Sequence, residues 1–153
     1  MLRLSKLTDY AVVVLARLSS GAPTQTSPGI AASTSIPEPT VAKVLKTLVA
    51  AGLVTSQRGA HGGYRLTRPL AALPVADVIE AIDGPIALTA CVEGAGMGCD
   101  VSTMCPMRGR WDPVNAAIRE ALGAITLADM QRTARPAWPR SVPIPLNPSS
   151  AIE

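Results

Sequence analysis

A chain of 153 residues fits one domain, or one domain with an appendage, and its 48% hydrophobic content is ample for a packed core. Aromatics make up only 3% and Phe is absent, so the core must be built from Leu, Val, Ile and Ala, a composition that favours helices over sheets. The net charge of +3 is uneven, with eight Lys and Arg against two Asp and Glu in residues 1–68 and six against nine in residues 69–153; the basic half suits a nucleic-acid module, though a solvated surface would look the same.

In chain order, Leu4, Leu7, Ala11, Val14, Leu15 and Leu18 recur at helical spacing, with Ser5 able to cap the start and Gly21 to end the helix. The opening MLRLSKLTDYAVVVLARL places basic residues ahead of an apolar segment, as a signal peptide would. Asp9 and Arg17 flank that segment closely, however, so a buried amphipathic helix in a cytoplasmic protein is expected. No stretch reaches the roughly 18–20 uncharged apolar residues needed to span a bilayer, so no membrane partner is expected. Ser27-Pro28 reads as an N-cap with Pro in the first turn of a short helix to about Ser33. Thr34-Ser35-Ile36-Pro37 is the next turn, and Glu38-Pro39 opens a third helix running to about Ala51, stopped by Gly52. Its apolar face is Val41, Val44, Leu45 and Leu48; its outer face carries Thr40, Lys43, Lys46 and Thr47.

Two short helices joined by a tight turn, the second exposing cations, form a helix-turn-helix pattern. Strand-like Leu53–Ser56, the basic glycine-rich run RGAHGG over Arg58–Gly63, and strand-like Tyr64–Leu66 then make a hairpin that reads as a wing. A further helix is expected over Leu73–Ile82, ended by Asp83-Gly84-Pro85. From Trp111 a long helix begins, with Trp111, Val114, Ile118, Leu122 and Ile125 as a stripe fit to pack on a second subunit, and Leu127–Met130 form a short terminal turn. From Ala134 five prolines crowd a stretch without periodicity, so a disordered or extended tail is expected.

All three cysteines fall between the last two longer helices, as Cys91-x7-Cys99-x5-Cys105. An odd number cannot pair off completely, which favours metal or redox chemistry in a reducing compartment. Neither the C-x2-C knuckles of zinc fingers nor the C-x2-C runs of ferredoxins are present. Thiolates this widely spaced need a flexible loop to converge, and Glu93–Gly98 provides one. An iron–sulfur cluster, zinc, or unliganded oxidant-sensing thiols all remain open on chemistry alone. A fourth ligand would come from the oxygens of Asp9, Glu93, Asp100 or Asp112, since the sole histidine, His61, sits in the wing.

LRLSKLTDYAVVVLARL, the wing RGAHGGYRL, the three-cysteine loop and CPMRGRWDPVNAAIREAL together resemble the Rrf-type family of bacterial winged-helix regulators. More narrowly, they resemble the regulators of the SUF system of iron–sulfur cluster assembly. The resemblance runs from about Leu2 to Met130. It implies a homodimer in which the helix after Pro106 crosses its partner, each recognition helix enters a major groove, and the wing, with Arg58 at a basic position, reaches a minor groove. It also implies a 2Fe–2S or 4Fe–4S cluster held by Cys91, Cys99 and Cys105. One branch of the family uses a histidine three residues after the last cysteine as fourth ligand; here that residue is Arg108, which cannot ligate. Another branch uses an aspartate in the first helix of the partner subunit, and Asp9 matches that position, so Asp9 in trans is the expected fourth ligand.

The fold expected is mainly α: a winged helix-turn-helix over 1–85, a cluster-binding loop over 86–110, a dimerisation helix over 111–131 and a proline-rich tail over 132–153. The function expected is cluster-dependent regulation, as a repressor, of iron–sulfur assembly genes through a double-stranded operator. Thr40, Lys43 and Lys46 on the recognition helix and Arg58, His61 and Arg65 on the wing would meet the DNA. Alternatives keep the fold but sense nitric oxide, iron or a sulfur metabolite, or make the chain an iron–sulfur electron-transfer or scaffold protein. No G-x-S-x-G, phosphate loop or acid–base pair near His61 points to an enzyme.

Overall fold

The computed structural model describes residues 4–92, 94–95 and 104–132. Cys99, Glu93, Asp100 and the tail from residue 133 onward lie outside the described residues.

Ser5 caps α1 (Lys6–Ser20), its hydroxyl accepting from the Thr8 amide, and the stripe Ala11, Val14, Leu15 and Leu18 is buried, as its spacing predicts. α2 (Ser27–Thr34) and α3 (Glu38–Ala50) follow, then an antiparallel hairpin of β1 (Val54–Gln57) and β2 (Gly63–Leu66). A 3-10 turn over Leu70–Ala72 leads to α4 (Val75–Asp83); α5 (Asp112–Ala124) and α6 (Leu127–Gln131) complete the described elements. Helices of this length are marginal on their own in water, so packing holds them. α1 runs through the middle, touching α2, α3, α4, α6 and β2. Against its stripe lie Val41, Val44, Leu45 and Leu48 of α3, Val78 and Ile79 of α4, and Ile30, Leu73 and Leu127. Each fully buried Val, Leu or Ile contributes roughly 1.5–3 kcal/mol, so these aliphatics together outweigh any single polar tie.

Several boundaries differ from the sequence expectation, each for a local reason. Thr26, not Ser27, caps α2: its Oγ1 accepts from the Gly29 amide at 3.3 Å. Pro28 has no N–H, so the amide needing a partner is that of Gly29, three residues beyond Thr26. The turn into α3 passes through Ser35, the only non-glycine with positive φ (59°) among the described residues. α4 starts at Val75 because Pro74 keeps Leu73 out of the helical region, where its φ and ψ are −118° and 95°.

The helix after Trp111 is shorter than its stripe suggests. Ile125 leaves helical geometry, and its carbonyl accepts from the Val75 amide at 2.9 Å while the Leu127 amide donates to the Leu73 carbonyl at 2.9 Å. This bridge carries Leu127 into the core, where it is 1% exposed. Thr126 then opens α6 with a capping box closed by Asp129.

The end of α4 meets the start of α1 at Asp83, the last residue of α4. Its Oδ2 accepts from the Thr8 hydroxyl at 2.7 Å and from the Ser5 amide at 3.1 Å, placing a carboxylate at the positive end of α1. Burial pushes the Asp83 carboxyl up, but the hydrogen bonds from Ser5 and Thr8 outweigh that and hold it below its ordinary value. The unfolded chain therefore takes up this proton first as pH falls. The tie contributes fully above the ordinary carboxylate range and is lost as pH drops through the lowered folded value. Asp83→Asn is expected to lower stability at neutral pH by at most about 1 kcal/mol, the usual worth of a charged hydrogen bond reduced for the group's exposure. It should also shrink the loss of stability in acid, and thermal unfolding of both proteins across the acid range checks both effects.

Candidate nucleic-acid interface and cysteine loop

The recognition face is built by α3. Because Val41, Val44, Leu45 and Leu48 point inward, the opposite face must carry Lys43 and Lys46, and both are exposed. Neither makes an ion pair with an acid among the described residues, so both cations face solvent. Thr40, in the first turn, is half-buried, and Thr47 returns its hydroxyl to the Lys43 carbonyl at 3.1 Å.

The hairpin pairs Val54 with Leu66, Thr55 with Arg65, Ser56 with Tyr64 and Gln57 with Gly63. Val54 turns inward, and one residue along Arg65 is exposed, its Nε donating to Thr55 Oγ1 across the ladder at 3.2 Å. Arg58 and His61 sit at the exposed tip, which closes on a hydrogen bond from the Gly62 amide to the Gly59 carbonyl at 2.9 Å. A cleft of 490 Å³ separates the first turn of α2, at Thr26 and Ser27, from the tip residues Gln57, Arg58 and Gly62.

One residue that the sequence did not single out ties this wing to the helices. Gln25 is only 8% exposed. Its backbone exchanges hydrogen bonds with Tyr64 of β2, at 3.0 and 2.8 Å, adding a third, one-residue rung to the hairpin. Its side-chain Nε2 donates to the Arg17 carbonyl at 3.0 Å and the Leu18 carbonyl at 3.4 Å, covering the last turn of α1. A loop glutamine looks solvated in sequence; the glycine pair Gly62-Gly63 was the available signal of a close backbone approach.

The cysteine segment runs between α4 and α5. Cys91 and Cys105 are both half-buried and free of disulfide bonds, and Cys91 Sγ lies 3.2 Å from Thr89 Oγ1. Val92 beside Cys91 is buried. Among the described residues no three His, Cys, Asp or Glu side chains gather as a metal site, and Cys99 is not among them. Asp9 is exposed in the first turn of α1, on the rim of a 330 Å³ cleft bounded also by Leu4, Lys6, Val78 and Met130. Asp112 lies in the first turn of α5. At the start of α5, Trp111 and Val114 are 40% and 44% exposed. No helix among the described residues is long and apolar enough to cross a membrane.

A helical core, a cation-bearing helix after a tight turn, and a basic hairpin behind it define a winged helix-turn-helix, an architecture of DNA-binding regulators. The chain belongs to the Rrf2 family, described as an iron-dependent transcriptional regulator, which matches residues 4–133. It is 36% identical over 141 residues to a Mycobacterium tuberculosis protein named as an HTH-type transcriptional regulator, covering 88% of this chain and 84% of that one. Among solved structures, the global cysteine regulator CymR of B. subtilis superposes with a TM-score of 0.63 at 28% identity, covering 85% of this chain and 96% of its own. IscR of T. potens does so with a TM-score of 0.57 at 31% identity, covering 84% and 85%. This chain is thus a transcriptional regulator of the winged-helix class.

Gly63 is where the wing meets that scaffold. Its φ is 156°, and a Cβ there would stand 2.7 Å from the Gln25 carbonyl oxygen, a backbone atom that cannot swing aside. Gly63→Ala is expected to lose about 1–3 kcal/mol of stability by forcing the hairpin away from Gln25. Exchange protection at the Tyr64 amide should fall more than in α3, which hydrogen-exchange mass spectrometry can read.

Proposed function

We propose that this protein is an iron–sulfur-cluster-dependent, DNA-binding regulator that acts as a homodimer and represses genes of iron–sulfur cluster assembly. The observation that carries the reading is the position of the three-cysteine segment, strung between α4 of the winged-helix domain and α5. The residues fit such a group. Cys91 and Cys105 are half-buried thiols outside any disulfide, and soft thiolates are the donors iron–sulfur clusters take. The family's description as iron-dependent supports the same reading. Cys91, Cys99 and Cys105 would hold the cluster, with Asp9 of the partner subunit as the fourth ligand. A centre held by three thiolates and one carboxylate supplies a group that oxidant, nitric oxide or iron shortage readily removes.

The rest follows from the chain's own residues. Residues 1–85 would bind DNA, with Lys43, Lys46, Arg58 and Arg65 on phosphates or base edges and Thr40 and His61 beside them. Residues 111–131 would join two copies, a role supported by the apolar side chains Trp111 and Val114 left exposed on α5. Ordering of residues 86–110 would set the angle between the two copies and so the spacing of their recognition helices, which a two-fold operator reads directly. The tail over 132–153 has no role in this reading. A second reading, sensing of a sulfur metabolite, is favoured by the similarity to a global cysteine regulator; it needs no visible chromophore.

The deciding experiment is a visible absorption spectrum of anaerobically purified protein, with retardation of its own upstream DNA before and after cluster removal. A brown protein whose DNA affinity changes on removal is expected; a colourless one with unchanged affinity would overturn the reading. Asp9→Ala should keep the fold yet shift the spectrum and speed bleaching in air, and an unchanged spectrum and lifetime would exclude Asp9 as ligand. Lys43→Ala should weaken binding and reduce the slope of log affinity against log salt by about one if it meets a phosphate. An unchanged slope would assign Lys43 to a base edge or to no contact.

A further inference from the structure

α5 has one buried residue among its described positions, and that residue is polar. Asn115 is 4% exposed, while Trp111, just ahead of the helix, and its apolar members Val114, Ile118 and Leu122 remain exposed or half-buried. Both ends of its amide are bonded at short range: Nδ2 donates to the Ile86 carbonyl at 3.0 Å, and Oδ1 accepts from the Leu88 amide at 3.0 Å. Both partners are backbone groups of the strand of chain that leaves α4 and reaches Cys91 three residues after Leu88. One turn along the helix, Arg119 pairs with Glu80 of α4 at 3.2 Å. α5 is therefore fastened to the end of α4 by the ion pair and to the approach to Cys91 by the amide.

The chemistry at position 115 is narrow. The site needs a donor and an acceptor at once, at one fixed spacing, on a side chain that is 4% exposed. Asn supplies both; Asp would accept but set a charge against the Ile86 carbonyl; Leu would leave two backbone groups unsatisfied. Burial of such a group where an aliphatic would pack is better matched to registration than to stability. By contrast, Cys105 lies on the other side of the segment, just ahead of α5, with its carbonyl held by the Arg108 amide at 3.2 Å and no bond to Asn115.

We propose that Asn115 is a positioning residue that registers the Cys91 end of the cysteine segment on α5, so that a change of state at the thiols moves α5 through this amide. The inference rests on the reading of residues 86–110 as the sensing element, and its test separates the two. In metal-free, reduced protein, Asn115→Leu is expected to raise the alkylation rate of Cys91 by iodoacetamide at least about fivefold, the factor set by one net hydrogen bond, and that of Cys105 by less than about twofold. Asn115→Asp, which keeps the size of the side chain, should give the same selective effect and serves if the leucine variant fails to fold. Acceleration at both cysteines alike, or at neither, overturns the proposal, whatever the wild type does with iron.

In the second arm, wild type and variant are reconstituted with ferrous iron and sulfide and hydrogen exchange is followed over residues 112–124. Wild-type α5 is expected to gain protection on reconstitution, and the variant to develop the same visible absorption without that gain. Equal gains in both would overturn the coupling role. A wild type that takes up no iron and sulfide counts against the proposed function, while the alkylation ratio still decides the role of Asn115.

Discussion

The structure depends on the burial of α1 along most of its length in a mainly aliphatic core. Ala11, Val14 and Leu15 have no exposed surface, and α2, α3, α4, α6 and the second strand of the wing all lean on this helix. With no Phe anywhere in the chain, no single large ring fills the centre. Many branched side chains interlock instead, and such a core resists small displacements because each side chain is held by several neighbours. The inward face of the recognition helix packs into the stripe of α1, which turns Lys43 and Lys46 to the surface.

Around this apolar centre the polar ties are few and divided by task. Gln25 covers the last carbonyls of α1 and pairs with the wing. α4 carries three acids, each bound to a different part of the molecule: Asp77 to Arg68 just beyond the wing, Glu80 to Arg119 of α5, and Asp83 to the first turn of α1. The ion pairs are half-exposed and individually weak, so their value lies in fixing register rather than in stability. α4 is thus the element to which α5, the base of the wing and the start of α1 are all tied, and its Val78 and Ile79 pack in the core against α1.

Much of this was legible in the residues. The stripes of α1 and α3, the proline and glycine signals around the recognition helix, and the basic hairpin were read in order and at nearly the observed bounds. The departures came where a distant group intervened. α5 stops at Ala124 because Ile125 is drawn to the start of α4, although Thr126-x-x-Asp129 was in plain view as a capping signal. Asn115 sits between Val114 and Ile118 in what reads as an apolar stripe facing a partner. Its backbone acceptor and donor, at residues 86 and 88, are nearly thirty positions away, beyond the reach of any periodicity.

Local chemistry therefore determined the helices, the hairpin, the cations on the outer face of α3 and the placing of three soft donors in one glycine-bearing segment. Those features arise from hydrophobic period, backbone permissiveness and side-chain type, which act over a few residues. Only the tertiary structure decided that Gln25 and Asn115 are polar joints, because burial removes water as their alternative partner, and that the exposed Asp83 meets Ser5 and Thr8 from more than seventy positions away. Burial is a property of the assembled core, and no residue carries it alone.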